Sequence, residues 1–126
     1  MNDRDAGGLD NLAVLRGHVR GEVTERPLPT GSASVQFDLT TTIRSAGRPS
    51  KVSVPVSWID PPSSSVALLT DGVELLVIGM VRRRFFRVSG ATQSRTEVVA
   101  DSVIPARRRT QVAAALGEVV ERLGAP

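Results

Sequence analysis

The sequence contains no cysteine, no tyrosine and a single histidine, His18. Disulfide staples, thiolate nucleophiles, cysteine-ligated zinc and iron–sulfur clusters are thereby excluded. Most general acid–base, nucleophile and metal-ligand schemes draw on His, Cys or Tyr, so an enzyme built on this chain is left with carboxylates, serines and arginines. Aromatic residues are scarce as well, one tryptophan and three phenylalanines making up 3% of the chain. The longest apolar stretch, Leu75 to Val81 between Glu74 and Arg82, is far short of the ~18–20 residues that a membrane span needs. The first residues, Met1-Asn2-Asp3-Arg4-Asp5, carry acids where a signal peptide has bare positive charge, and no apolar segment follows them. The expectation is a cytoplasmic protein with no membrane partner.

What the chain does have is arginine. Of its sixteen basic residues only Lys51 is a lysine, and thirteen acids leave a net charge of +3. Between Arg82 and Arg109 eight arginines face two acids, Glu97 and Asp101, so this segment carries +6 and the remainder −3. Such asymmetry suits a polyanion, because phosphate neutralisation with counterion release supplies most non-specific nucleic-acid affinity. The alternative is a solvated surface in a chain that uses arginine in place of lysine throughout. The 126 residues, 40% of them hydrophobic and 23% charged, suit one globular domain, since single domains usually run ~100–150 residues.

Residues 1–10, with Gly7-Gly8, lack apolar periodicity and read as a flexible tail. Leu12 to Val19 is rich in strand formers, and Gly17 within it marks a bulge or a close approach of backbone. Pro27-Leu28-Pro29-Thr30-Gly31 is a turn. Val35, Phe37 and Leu39 alternate with polar residues as in a strand buried on one face. After a break at Ser45 to Ser50, Val52, Val54 and Val56 resume the alternation, with Pro55 marking an edge or a bulge. Ser63 to Thr70 makes a short helix or turn. A long strand follows from Val73 to Phe86, then a turn at Ser89-Gly90 and a last strand from Ser94 to Ile104, stopped by Pro105. Five strands with a short element between the third and fourth predict a small, mostly antiparallel barrel. Val112, Leu116, Val119, Val120 and Leu123 then recur at helical spacing, so the C-terminal segment, residues 107–126, is expected to hold an amphipathic helix that Gly124 ends.

No glycine-rich phosphate loop, dinucleotide fingerprint or G-x-S-x-G elbow is present. The serines cluster at Ser63 to Ser65 with no histidine near, and His18, between Gly17 and Val19, reads as a structural residue. No catalytic residue, metal ligand or cofactor is expected. What remains is arginine interleaved with aromatics: Arg82, Arg84 and Phe86 share one face of an extended strand, Arg83, Phe85 and Arg87 the other. Cations beside a ring suit single-stranded nucleic acid, phosphates meeting guanidinium groups and an unpaired base stacking on the ring. Burial in the closing barrel is the expectation for Phe85, and surface function for Phe86.

The segment Asn11 to Val19, followed by Arg26-Pro27-Leu28-Pro29-Thr30-Gly31-Ser32-Ala33 and Val35 to Leu39, resembles the opening of bacterial single-stranded DNA-binding proteins (the SSB family). Val54-Pro55-Val56-Ser57-Trp58, Asp71 to Arg82, and Ser89-Gly90 through Thr96-Glu97-Val98-Val99-Ala100-Asp101 resemble its later strands, so the likeness spans roughly residues 11 to 105. The resemblance implies an oligonucleotide-binding (OB) barrel, residues 11–106, assembled as a homo-oligomer, tetramer or dimer, that binds single-stranded DNA. It places Trp58 and Phe86 on two base-stacking positions and turns Arg82 and Arg84 toward the DNA. Arg44 and Lys51 on the adjoining loop are expected to help hold the strand. The family's other two stacking aromatics have no counterpart, their places falling near Ser45 and Val52. Strict alternation puts Trp58 on the core side with Val52, Val54 and Val56, and a bulge at Pro55 is needed to turn it outward. The family's acidic C-terminal tip has no counterpart either, which implies a short divergent paralogue.

Two functions follow. The first is non-enzymatic, non-sequence-specific binding of single-stranded DNA in replication, repair or recombination. The second is an OB module that serves as a scaffold among replication or repair proteins, with weak or no DNA binding. RNA is a further ligand that such a barrel accepts.

Overall fold

The computed structural model describes residues 10–124. The tail expected over residues 1–10 therefore falls outside the described residues, apart from Asp10. Five strands close into a barrel: β1 (Ala13–Pro27), β2 (Ala33–Ser45), β3 (Arg48–Ile59), β4 (Glu74–Val88) and β5 (Ala91–Pro105), in the order β1-β2-β3-β5-β4. A single turn of helix, α1 (Ser63–Val66), joins β3 to β4, and α2 (Arg109–Leu123) follows β5. All pairings are antiparallel except β3 with β5, which run parallel over Val56–Trp58 and Val98–Ala100 only.

The core is built by alternation. Val35, Phe37 and Leu39 of β2, Val56 and Trp58 of β3, Leu75 and Val77 of β4, and Val98 and Ala100 of β5 point inward with Val19 and Leu69. Leu76 and Ile78, on the opposite face of β4, are covered by Val112, Ala115 and Val119 of α2 together with Leu12. The helix thus seals one outer side of the barrel, and its second stripe, Leu116, Val120 and Leu123, stays exposed.

Two bulges set the phase. Between Ile78 and Gly79 the partner on β5 steps from Ser102 to Ala100, so Asp101 is the extra residue, and Val103 rather than Ser102 then packs against the core. A Cβ on Gly79 would collide with the Val99 carbonyl there, and one on Gly17 with that of Thr40. Gly17 is the expected point of close backbone approach. The first strand does not end near Val19, as expected, but runs on to Pro27. Two extra residues between Arg20 and Thr24 kink it, with Gly21 at φ 79° donating its N–H to Asp71 Oδ1 at 2.8 Å.

Candidate nucleic-acid interface

Two β-hairpins extend beyond the barrel. Ala46 and Gly47 have φ of 52° and 77°, Ser89 and Gly90 of 51° and 81°, the left-handed pair that a two-residue type I′ turn requires. Each turn matches the twist of its strands, so pairing continues to the tip, Ser45 opposite Arg48 and Val88 opposite Ala91. Because β3 and β5 are parallel and pair only from Val56 and Val98 onward, both arms leave the barrel at the same end. The β2–β3 arm, residues 40–53, carries Arg44, Arg48 and Lys51 and no acid, and the β4–β5 arm, residues 82–97, carries five arginines and one acid, Glu97.

Residues directly opposite one another across a ladder share a face. On β4–β5 the pairs Arg82/Glu97, Arg84/Arg95 and Phe86/Gln93 lie outward, and on β2–β3 the pairs Asp38/Pro55, Thr42/Lys51 and Arg44/Pro49 do the same. Arg44, Lys51, Arg82, Arg84 and Phe86 therefore occupy one side of the sheet. An ion pair from Arg95 Nη2 to Asp38 Oδ1, 3.7 Å, links the β4–β5 arm to β2 across that side.

Glu97 organises the arginines. It is only 4% exposed, and a carboxylate so placed must be compensated. Arg82 Nη2 donates to Glu97 Oε1 at 2.8 Å, and Arg84 Nε lies 3.9 Å from the same oxygen. The Arg84 guanidinium in turn sits 5.8 Å from the centroid of the half-buried Phe86 ring, a cation–π contact worth ~0.5–1 kcal/mol at a surface. Ring and guanidinium are held in place before any ligand arrives.

Trp58 is not part of this face. The β2–β3 register runs without a shift from Val54/Leu39 through Pro55/Asp38 to Val56/Phe37, so no bulge reverses the phase and Trp58 packs in the core, 8% exposed. Pro55 instead occupies an edge: it lies just before β3 begins to pair with β5, where an N–H has no ladder to join. Phe85 departs from expectation in the other sense. It is 66% exposed, because the hairpin continues past the point where the barrel closes.

Where β3 and β5 part, an open cleft of about 620 Å³ lies between Trp58, Asp60, Pro62, Met80 and the Val99–Ile104 stretch. It adjoins the arginine face through Met80 and Val99, which pair two positions along β4–β5 from Arg82/Glu97 and on the same face.

The strand order, the parallel β3–β5 contact and the paired arms bring one solved structure into view. The chain is similar to the Plasmodium falciparum SSB in complex with ssDNA, at 19% identity and a TM-score of 0.63, over 83% of this chain and 98% of that one. It is an OB-fold barrel. No family model matches the sequence, and no curated protein does. Within the OB-fold, β4–β5 is the arm with the greatest charge, and sequence reasoning named its Arg82, Arg84 and Phe86 but missed Glu97, Arg95 and Asp38. A signal for Glu97 existed, since a lone acid among arginines on a strand is a natural counter-ion. Its pairing with Arg82 is set by the Ser89-Gly90 turn, from which the register runs without a shift from Val88/Ala91 to Arg82/Glu97.

Proposed function

We propose that this chain is a non-enzymatic protein that binds single-stranded DNA without sequence specificity, across the outward face of the two arms. The observation that carries the reading is the gathering of Arg44, Lys51, Arg82, Arg84 and Phe86, from two hairpins distant in sequence, onto one side of one sheet. The likeness of the fold to an SSB bound to ssDNA supports it. Phosphates meet the guanidinium and ammonium groups, and a base stacks on Phe86. Stacking and phosphate contacts carry little base information, so sequence readout is not expected. With one ring on this face the affinity rests on arginine and is strongly salt-dependent. The proposed setting is DNA replication, repair or recombination, with the protein acting as a homo-oligomer in a nucleoid-associated, cytoplasmic pool.

The test is anisotropy of labelled oligo-dT. Arg44→Ala/Lys51→Ala is expected to weaken binding and to flatten the dependence of log K on log salt by about 0.7 for every phosphate that is no longer neutralised. Arg82→Ala/Arg84→Ala is best made with Glu97→Gln, so that no carboxylate is left buried alone, and should weaken binding further. Variants that bind as tightly as wild type at moderate salt would refute the site. A second reading, a scaffold module for replication or repair proteins, is favoured by the exposed stripe Leu116, Val120 and Leu123 on α2. Recovery of a stoichiometric protein partner after nuclease treatment, from a chain that does not prefer single strands, would establish it.

A further inference from the structure

The β4–β5 arm has a second face, and its electrostatics differ from those of the first. On the outward face Glu97 and Asp38 take up much of the charge of Arg82, Arg84 and Arg95. On the opposite face, which continues the core-facing side of the barrel, Arg83, Phe85 and Arg87 alternate along β4, and their cross-strand partners are Thr96, Ser94 and Thr92. Every one of those partners is a hydroxyl residue, and none is an acid. Arg83 Nε donates to Ser94 Oγ at 3.0 Å, the residue directly opposite Phe85, and Arg87 Nη2 donates to the Gly90 carbonyl at 2.8 Å. Both arginines are thus positioned by neutral acceptors, and among the described residues neither has an acid as ion-pair partner. Between them stands Phe85, at 66% the most exposed aromatic of the described residues.

A ring left in water between two uncompensated guanidinium groups stabilises nothing in the folded monomer. It has the composition of a stacking platform for an unpaired base whose flanking phosphates reach the two arginines. We infer that Arg83, Phe85 and Arg87 form a second single-strand contact, so that a bound strand of sufficient length engages both faces of the β4–β5 arm. This rests on the function proposed above, and adds that the strand passes from Phe86 on one face to Phe85 on the other. Charge complementarity commits the face to nucleic acid: a surface with two uncompensated arginines and no acid suits a polyphosphate chain better than it suits a copy of itself.

The test is an oligo-dT length series that spans and exceeds the roughly 4–16 nucleotides occluded by one OB barrel. Phe85→Ser is expected to leave binding of the shortest oligomers unchanged and to weaken that of the longest by roughly tenfold. Arg83→Gln/Arg87→Gln should lower the salt dependence on long oligomers by about 0.7 for every phosphate that those arginines neutralise in the wild type. Phe86→Ser, by contrast, should weaken binding at every length. Phe85 is exposed on a hairpin, so an unchanged thermal midpoint is expected to show that its variants keep the fold, and Phe85→Leu, which keeps an apolar side chain without the ring, should behave as Phe85→Ser does. Failure of the wild type to prefer single strands would remove the function and this inference together. A wild type that binds, with Phe85 and Arg83/Arg87 variants matching it at every length, would overturn the inference alone. So would a Phe85→Ser protein that binds all lengths normally but sediments at lower mass, which would make Phe85 a contact between copies.

Discussion

Glu97 governs how the arginine face is held. Its carboxylate is buried and hydrogen-bonded to Arg82, with Arg84 close by, so removing Arg82 costs more than a surface ion pair would. Arg82→Ala should lower stability by about 2 kcal/mol, the scale of a hydrogen bond to a charged group whose partner is then stranded. Adding Glu97→Gln to Arg82→Ala should recover part of that loss, since the stranded charge is gone. Chemical denaturation of the two variants measures both effects, and equal stabilities would show that Glu97 needs no counter-ion. Glu97→Gln alone should tighten oligo-dT binding, because it removes the acid from the face that meets phosphate. At this scale the sequence was half legible. The alternation that put Arg82, Arg84 and Phe86 together was plain from a period of two. That Trp58 stays in the core and Phe85 leaves it depended on whether Pro55 bulges and on where the barrel stops, and both are properties of pairing between distant strands.

The elements show the same division. Strand positions and both hairpin turns could be read from apolar alternation and from Ala46-Gly47 and Ser89-Gly90, but the length of β1 could not. Its kink at Gly21 is stabilised by Asp71, fifty residues away in sequence. Two carboxylates tie elements together and hold their protons less readily than usual. The Ala33 N–H, with help from Ser32, lowers the pKa of Asp60, joining the end of β3 to the start of β2, and the Arg16 guanidinium lowers that of Glu74 between β1 and β4. A lowered native pKa means that the unfolded chain binds more protons, so stability is complete above the ordinary carboxylate range and declines as pH falls through it. Thermal midpoints measured downward from neutral pH should fall in that window, and Asp60→Asn should flatten the fall. The helix α2 begins badly. Arg108 is its N-cap without a side-chain cap bond, and Arg107 and Arg109 flank it at the positive end of the helix dipole. Arg108→Asp should therefore raise stability by about 1 kcal/mol, read as a higher thermal midpoint. An unchanged or lower midpoint would mean that the arginine makes a contact of its own.

At the scale of the whole molecule, a closed barrel with one side sealed by α2 sends two basic hairpins out from the same end. Among the described residues no helix is long and apolar enough to cross a membrane. The barrel was legible because each strand carries its own alternation and each turn its own glycine. The site was legible only as a cluster of arginine and phenylalanine, since the convergence of Arg44 and Lys51 with Arg82 and Phe86 comes from the short parallel contact between β3 and β5. The central claim is that these arms bind single strands through phosphate and ring. It is tested most directly by titrating labelled oligo-dT and duplex DNA of equal length at two salt concentrations. Tighter binding of the single strand, weakening steeply with salt, is the predicted result, with little change in Trp58 emission because that ring is in the core. Equal affinity for the duplex, or no binding to either, would contradict it.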